Sequence, residues 1–208
     1  MLSKRLKEIA DLIPKNSKIV NVGTDHALLE IFLAKTKNVF SIGIDISEKC
    51  VIKSRENVNN NSVSKFVTII QNDGLNNIDI NDKIITISGL GTNTILKILK
   101  NIKGNDLIIQ SNNNHYILRK EICKRGYYIY KEKIIYDKRL YIIIYFKKGR
   151  KKYSDFDFYI GTNKTNKDYI NYILKLNQNE LKKIPKKNII RKYKINSRIN
   201  KLKKIVDF

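Results

Sequence analysis

Short apolar runs rich in β-branched residues alternate with amphipathic segments through the first part of the chain. Runs of strand length occur at residues 18–22, 40–45, 66–71, 83–88 and 106–110. Segments with apolar residues three and four positions apart predict helices at residues 26–36, 47–57, 92–101 and 115–125. This alternation predicts a parallel sheet with helices on both faces.

The segment after the last of these helices differs, because two strand-like runs follow each other directly. Residues 127–148 indicate two strands joined by a tight turn at Asp137-Lys138. Five βα units followed by an antiparallel pair is the order of the class I methyltransferase sheet, so we predict an α/β, Rossmann-like fold of this class. A further helix over residues 3–13 precedes the sheet, with Ser3 as its N-cap.

The end of the chain has a purely helical pattern of apolar positions. The pattern covers residues 170–184 and 195–206, and Pro185 lies between the two sets. A short connection between two helices predicts an antiparallel helical hairpin. We therefore expect a Rossmann-like domain over residues 1–162 and a basic helical hairpin over residues 163–208.

The charge of the chain is strongly one-sided and is concentrated in this tail. Lys and Arg number 42 against 19 Asp and Glu, which gives a formal net charge of +23. Residues 147–208 contain 19 of the basic and 5 of the acidic side chains. Such an excess favours polyanions through counterion release, although a solvated helical face in a Lys-, Asn- and Ile-rich protein is the alternative. The candidate RNA-binding residues are Arg5, Lys182, Lys183, Lys186, Lys187, Arg191, Lys192 and Arg198.

Cysteine usage and hydropathy favour a cytoplasmic protein without a metal. Cys50 and Cys123 are far apart, with no CxxC spacing and no neighbouring His, so neither a zinc site nor a disulfide framework is expected. The first segment lacks an apolar core of signal-peptide length, and no later run approaches a membrane span. We expect no membrane partner, and we favour a monomer.

Polar residues follow the ends of the first strands. The turn after the first strand contains only Gly23 instead of a G-x-G-x-x-G set, which favours a smaller, cationic cofactor beside Asp25 over a dinucleotide. Asp45 ends the second strand, where a carboxylate can accept both ribose hydroxyls. Asp73 and Gly74 follow the third strand, and they suit an adenine amino group and a backbone bend. Each carboxylate alone also suits a helix cap or turn, but together these loops predict a ligand crevice at one sheet edge.

Several motifs occur in an order that is specific to one family. The chain contains, in this order, LSKRLKEIADLIP, NVGTDHALLEIFL, NDGL, SGLGT and QSN. They match LSxRL…IA…P, DIGSDHAYLPIYL, GDGL, AGMGG and QPN of the bacterial tRNA (adenine-N1)-methyltransferases that modify the D-arm, the TrmK family. The chain resembles this family over about residues 1–160, and TDHA is its most distinctive element.

The resemblance implies S-adenosylmethionine as the cofactor and N1 of a tRNA adenine, expected at position 22, as the target. It implies cofactor contacts from Gly23, Thr24, Asp25, His26, Asp45, Ile46, Asn72, Asp73, Gly74, Gly89 and Leu90. The residues that would face the target base are Arg5, Gly89, Leu90, Gly91 and Asn112. We assign catalytic roles to Asp25, which organises the cofactor, and to Asn112 and Arg5, which position the base and its phosphate.

Three positions depart from the family pattern. Asn21 stands in place of Asp, Thr92 in place of the last glycine of AGMGG, and Ser111 in place of the proline of QPN. Asn21 removes a charge near the cofactor, and Ser111 leaves Asn112 less rigidly presented. The alternatives that stay open are a non-catalytic RNA-binding protein with a methyltransferase fold, and a methyltransferase for another RNA base.

Overall fold

The computed structural model describes residues 2–185 and 187–206, and the described chain forms two compact units divided between Lys151 and Lys152. The strands are β1 (Lys18–Val22), β2 (Phe40–Asp45), β3 (Val67–Gln71), β4 (Ile84–Leu90), β5 (Leu107–Ser111), β6 (Tyr127–Asp137) and β7 (Arg139–Lys148). The helices of the first unit are α1 (Lys4–Leu12), α2 (Leu28–Lys37), α3 (Glu48–Asn60), α4 (Thr92–Ile98) and α5 (His115–Lys124).

The seven strands form one mixed sheet with the order β3-β2-β1-β4-β5-β7-β6. Strands β1 to β5 pair in parallel, whereas β7 runs antiparallel to both β5 and β6. Strands β2 and β3 are added on one side of β1, and β4 and β5 on the other. Ligands of open α/β sheets bind where the strand order switches sides in this way. The predicted class I methyltransferase fold is confirmed.

The central strands are buried on both faces, which explains their continuous apolar runs. Every residue of β5 is buried, so its two sets of alternating side chains both lie beneath other elements. On one face, apolar residues of α1 and α2 pack against Ile19, Ile108 and Ile143. The N-cap hydroxyl of Ser3 accepts a hydrogen bond from Leu6 N, as the sequence predicts.

One connection departs from strict βα alternation. Residues 72–83, between β3 and β4, contain no helix, although five βα units are expected from the sequence. The segment NDGLNNIDINDK is dense in Asn, Asp and Gly, whose side-chain hydrogen bonds and left-handed conformations favour turns over helix.

The second unit consists of α6 (Asp155–Ile160), α7 (Lys167–Lys183) and α8 (Ile189–Val206). Helices α7 and α8 pack through Ile184, Ile195 and Ile199, with Leu174 and Leu181 alongside, so the predicted helical hairpin is confirmed. The short helix α6 belongs with them, because Tyr159 accepts a hydrogen bond from Asn177 at 2.7 Å. The functional boundary after residue 162 stays a prediction. None of the described helices has the length and apolarity that crossing a membrane requires.

Candidate active site

A cavity of about 300 Å³ opens where β1, β2 and β4 end. It brings together eight of the residues that the sequence singles out: Arg5, Gly23, Thr24, Asp25, His26, Asp45, Gly89 and Leu90. Asn21, Leu6, Leu28, Leu29 and Ser88 complete the lining. Residues from α1 and from three strand ends therefore converge on one site at the carboxyl edge of the sheet.

The loop between β1 and α2 has an unusual backbone. Gly23, Asp25 and Ala27 have φ values of 82°, 56° and 57°, in the left-handed region that costs non-glycine residues energy. The amides of Gly23 and Thr24 both donate to the Ile44 carbonyl, at 2.8 and 3.0 Å. A Cβ on Gly23 would have Ser88 O at 4.0 Å as its nearest neighbour, so a side chain there would stand in the cavity. The loop thus keeps its backbone open to a ligand.

Asp45 ties this loop to the next one. Its Oδ2 accepts a hydrogen bond from the Asp25 amide at 3.2 Å, and its Oδ1 accepts from the Ser47 amide at 3.0 Å. Each carboxylate oxygen has a second lone pair, so the group can still accept from two hydroxyls. The neighbouring Asp25 side chain is 72% exposed and lies 3.6 Å from His26 Nε2. This wall of the cavity is therefore acidic.

Beneath the acidic wall lies a buried carboxylate that the sequence reasoning missed. Glu30 is fully buried, and its Oε1 accepts hydrogen bonds from Asn21 Nδ2 at 2.8 Å and from the Thr24 hydroxyl. Its Oε2 has no partner among the described residues. Burial raises the pKa of the Glu30 carboxyl, while the bonds from Thr24 and Asn21 act in the opposite direction. We call Asn21 and Glu30 the floor pair.

A glycine makes room for the floor pair. A Cβ built on Gly43 would lie 2.9 Å from both Glu30 Oε1 and Thr24 Oγ1. On the other side, Asn21 Oδ1 accepts a hydrogen bond from the Thr86 hydroxyl at 2.8 Å. The one signal for this arrangement in the sequence is the single acidic residue within the apolar run LLEIFLA.

The opposite side of the cavity is basic and amide-rich. Arg5 donates to Gln110 Oε1 at 2.9 Å, and the same oxygen accepts from the Gly89 amide at 3.1 Å. Asn112 lies beside the cavity lining, where its Nδ2 donates to the Gly89 carbonyl and its Oδ1 accepts from Gln110 Nε2 at 3.3 Å. Partial burial lowers the pKa of the Arg5 guanidinium, which nevertheless stays protonated.

A family profile described as a methyltransferase domain matches residues 2–144. The chain belongs to the methyltransferase domain family. This methyltransferase domain is 32% identical over 162 residues to a candidate tRNA methyltransferase of Mycoplasma genitalium, a match that covers 73% of this chain and 72% of that protein. It is 28% identical over 141 residues to the tRNA (adenine(22)-N(1))-methyltransferase of Bacillus subtilis, which covers 64% of this chain and 59% of that protein.

Solved structures agree with these matches. The structure of M. capricolum TrmK in complex with S-adenosyl-homocysteine is 29% identical, with a TM-score of 0.84, over 100% of this chain and 98% of that chain. A Streptococcus agalactiae protein of the NADB-Rossmann superfamily is 26% identical, with a TM-score of 0.87, over 99% and 97% of the two chains. The family resemblance indicated by the sequence motifs is confirmed.

The residues of this methyltransferase domain that depart from the family motifs contact one another in pairs. The Thr92 and Ser111 hydroxyls are 2.8 Å apart, and the Ser111 hydroxyl also donates to the Leu90 carbonyl at 3.3 Å. We call Thr92 and Ser111 the rim pair. In the floor pair, Asn21 replaces the Asp of DIGSDHAYLPIYL, and Glu30 stands where that motif has proline. Hydrogen bonds of the rim pair and of Asn112 itself hold the segment that the missing proline was expected to loosen.

Four of the sequence-predicted cofactor residues lie away from the cavity lining. Asp73 and Gly74 line a separate depression beside α4. Asn72 shapes their loop, because its Nδ2 donates to the Gly74 and Asn76 carbonyls at 3.2 and 2.8 Å. Ile46 is 67% exposed. The Asn72 amide nevertheless donates to the Asp45 carbonyl at 3.0 Å, so this loop adjoins the strand end that carries Asp45.

The predicted RNA-binding residues of the tail lie on α7, α8 and their connection. Lys182 and Lys183 occupy the exposed last turn of α7, and Lys187 and Lys192 lie at the start of the second helix and just before it. Two residues have internal partners: Arg191 pairs with Glu180 at 2.7 Å, and Arg198 lies 4.2 Å from the centre of the Tyr159 ring. Lys186 lies outside the described residues. The described part of the chain has no group of three or more His, Cys, Asp or Glu side chains suited to a metal.

Proposed function

We propose that this chain transfers a methyl group from S-adenosylmethionine to N1 of an adenine in the D-arm of tRNA, with position 22 as the target. The observation that carries the proposal is a single cavity with carboxylates on one wall and Arg5 with amide groups on the other. The relative from Bacillus subtilis is a tRNA (adenine(22)-N(1))-methyltransferase, which supports the same substrate.

The acidic wall fits the cofactor. Asp45 would accept the two ribose hydroxyls, and Asp25 would face the cationic methionine end beside the open backbone of Gly23. When bound, S-adenosylmethionine supplies a methyl group activated by a positively charged sulfur. Ile46, Asn72, Asp73 and Gly74 would contact the adenine end, because the Asn72 amide donates to the Asp45 carbonyl at 3.0 Å and keeps their loop beside the ribose-binding carboxylate.

The basic wall fits the target base. Adenine N1 carries a free lone pair, so it can form the new bond to carbon while the carbon–sulfur bond breaks and its electrons stay on sulfur. No proton has to leave N1, and no general base is required. Arg5 and Asn112 therefore act by orientation, holding the base in line with the methyl group. Base pairing occupies N1 in a duplex, so the target must be unpaired or flipped before it enters.

The helical tail would hold the folded tRNA by its phosphates without reading sequence. Its test is a variant with Lys182, Lys183 and Lys187 changed to Gln, because all three are exposed. A matched control changes the exposed Lys18, Lys49 and Lys65 of the first unit. We expect the tail variant alone to bind tRNA more weakly and with a smaller salt dependence, with cofactor affinity unchanged. Equal binding by both variants would contradict a role for the tail.

The proposed function is tested by incubating the protein with labelled S-adenosylmethionine and unmodified tRNA, followed by nucleoside mass spectrometry. We expect 1-methyladenosine, and an adenine-22 substitution in the tRNA should abolish it. A different methylated nucleoside would place the enzyme on another base. Cofactor and tRNA binding without any product would favour the non-catalytic RNA-binding alternative. A cytoplasmic location and a monomeric state stay predictions from the sequence.

A further inference from the structure

The turn between β6 and β7 brings a second arginine to the basic wall. Arg139 lies with its guanidinium carbon 4.9 Å from the centre of the Tyr141 ring, and Arg5 lies 5.7 Å from the same ring. Arg139 also donates to Asn112 Oδ1 at 3.2 Å. Two arginines from distant parts of the sequence therefore share one aromatic ring beside the residue expected to face the target base.

The charges around this ring are not balanced. Lys4 and Lys138 adjoin the two arginines in sequence, and the acidic residues near Arg5 are Asp137 and Asp25. Arg139 and Lys138 are exposed, so neither is neutralised by burial in an ion pair of the fold. Like charges that converge on a partly buried aromatic face are stabilised by an anion between them.

The strand pairing decides which side chains share the face of the two arginines. Tyr136 pairs with Leu140 across the hairpin, and Leu140 lies between Arg139 and Tyr141 in β7. Because adjacent residues of a strand point to opposite faces, Tyr136 lies on the face away from the arginines. The neighbour on their own side is Asn112, to which Arg139 donates. Since Asn112 is expected to face the target base, a phosphate of the same RNA strand fits the arginines.

We propose that Arg139 and Arg5 clamp a backbone phosphate next to the target nucleotide. This rests on the proposed function for its RNA substrate. The β6–β7 turn then acts as a second RNA contact, within the sheet unit itself, and it fixes the register of the strand over the cavity. Phosphate contacts position a nucleic acid in this way without specifying sequence.

The test compares Arg139→Gln with Lys138→Gln in the full chain. Both remove one positive charge from the same exposed turn, but Arg139 contacts Tyr141 and Asn112, whereas no hydrogen bond or cation–ring contact joins Lys138 to either residue in the described chain. Binding of fluorescently labelled, unmodified tRNA is measured by anisotropy over a range of salt concentrations. Titration calorimetry with S-adenosylmethionine and thermal melting confirm that the variants fold and keep the cofactor site.

We expect Arg139→Gln to raise the Kd for tRNA about tenfold and to reduce the slope of log K against log salt by about 0.7 to 0.9, the contribution of one phosphate contact. Lys138→Gln should change the Kd by less than about twofold. Equal effects of the two charge variants would overturn the clamp, as would tRNA binding unaffected by Arg139→Gln. A wild-type protein that binds tRNA with these effects but makes no 1-methyladenosine would leave the clamp standing and refute the proposed function.

Discussion

The floor pair, between β1 and α2, and the rim pair, between α4 and β5, accommodate departures from the family motifs in different ways. Both replace residues of the family motifs, and in both the two new side chains contact each other. The rim pair joins two neutral hydroxyls that have further backbone partners. The floor pair instead buries a carboxylate whose Oε2 has no partner among the described residues. One pair is fully satisfied, whereas the other leaves a charge-bearing group in the protein interior.

The hydrogen bonds of the floor pair explain why an amide, and not the family's carboxylate, fits at position 21. An amide can donate to Glu30 and still accept from Thr86, whereas a carboxylate at position 21 would have no proton to donate. Moving the acid from β1 to α2 keeps a carboxyl group near the cavity floor and makes Asn the fitting partner. In the floor pair, therefore, the acidic residue has changed position from 21 to 30. In the rim pair, hydrogen bonds between side chains and backbone take over the rigidity that the family's proline provides.

A second buried carboxylate, Glu132, differs from Glu30 because it has a cationic partner, and it gives an upper reference for the stability effects below. Glu132 is buried and pairs with the buried Arg119 at 2.7 Å. We expect Glu132→Gln to lower the free energy of unfolding by about 3–5 kcal/mol, because it leaves the Arg119 charge uncompensated. Urea unfolding at pH 8 measures the change. A loss below 1 kcal/mol, on the order of a surface pair, would mean that this ion pair is not the fully buried one the structure shows.

The change in position of the acidic residue is tested by restoring the family's Asp at position 21 while Glu30 is kept. Asn21→Asp places a second buried carboxyl beside Glu30, so we expect a loss of about 2–3 kcal/mol at pH 8. The loss should shrink at pH 5, where one of the two groups holds a proton. Adding Glu30→Gln should recover most of the stability at pH 8. If the double variant is no more stable than the single one, the two positions are not coupled through charge.

The rim pair is tested with a double-mutant cycle of Thr92→Val and Ser111→Ala. We expect a coupling free energy of about 1 kcal/mol in stability, because each single change already removes the shared hydrogen bond. Methylation of tRNA should slow while the Kd for the cofactor stays unchanged, since the pair supports the segment of Asn112 and lies outside the cavity lining. Additive single effects would show that the two hydroxyls act independently.

The smallest expected effect is Glu30→Gln alone, and its sign depends on pH. The folded state raises the pKa of Glu30, so above the pKa of the unfolded chain the unfolded state binds fewer protons than the folded state. Wild-type stability contributed by this group therefore falls as pH rises toward the folded pKa. We expect the variant to gain about 1 kcal/mol over wild type at pH 8 and little at pH 4. If the free energies of unfolding of the two proteins change with pH in the same way, Glu30 does not ionise with a raised pKa in the folded state.

Much of the fold follows from local patterns in the sequence. The strands β1, β2 and β5 and the cap at Ser3 lie within a residue or so of their predicted bounds, because burial on two faces and capping depend on neighbouring residues. The two tail helices follow from their apolar spacing around Pro185. The expectation of five regular βα units is wrong at residues 72–83, where the sequence predicts no helical segment and the turn-forming Asn, Asp and Gly residues connect the strands without one.

Motif order and hydrophobic period are written along the chain, so the family, the sheet and the residues at the strand ends could be predicted from it. Which distant residues meet is visible only in the folded chain. Glu30 is one acidic residue in an apolar run, and packing beside Gly43 buries it against Asn21. Arg139 reads as one of many basic residues until the sheet brings it to Tyr141 and Asn112. The physical reason is that burial and charge pairing depend on contacts across the fold, which no local pattern encodes.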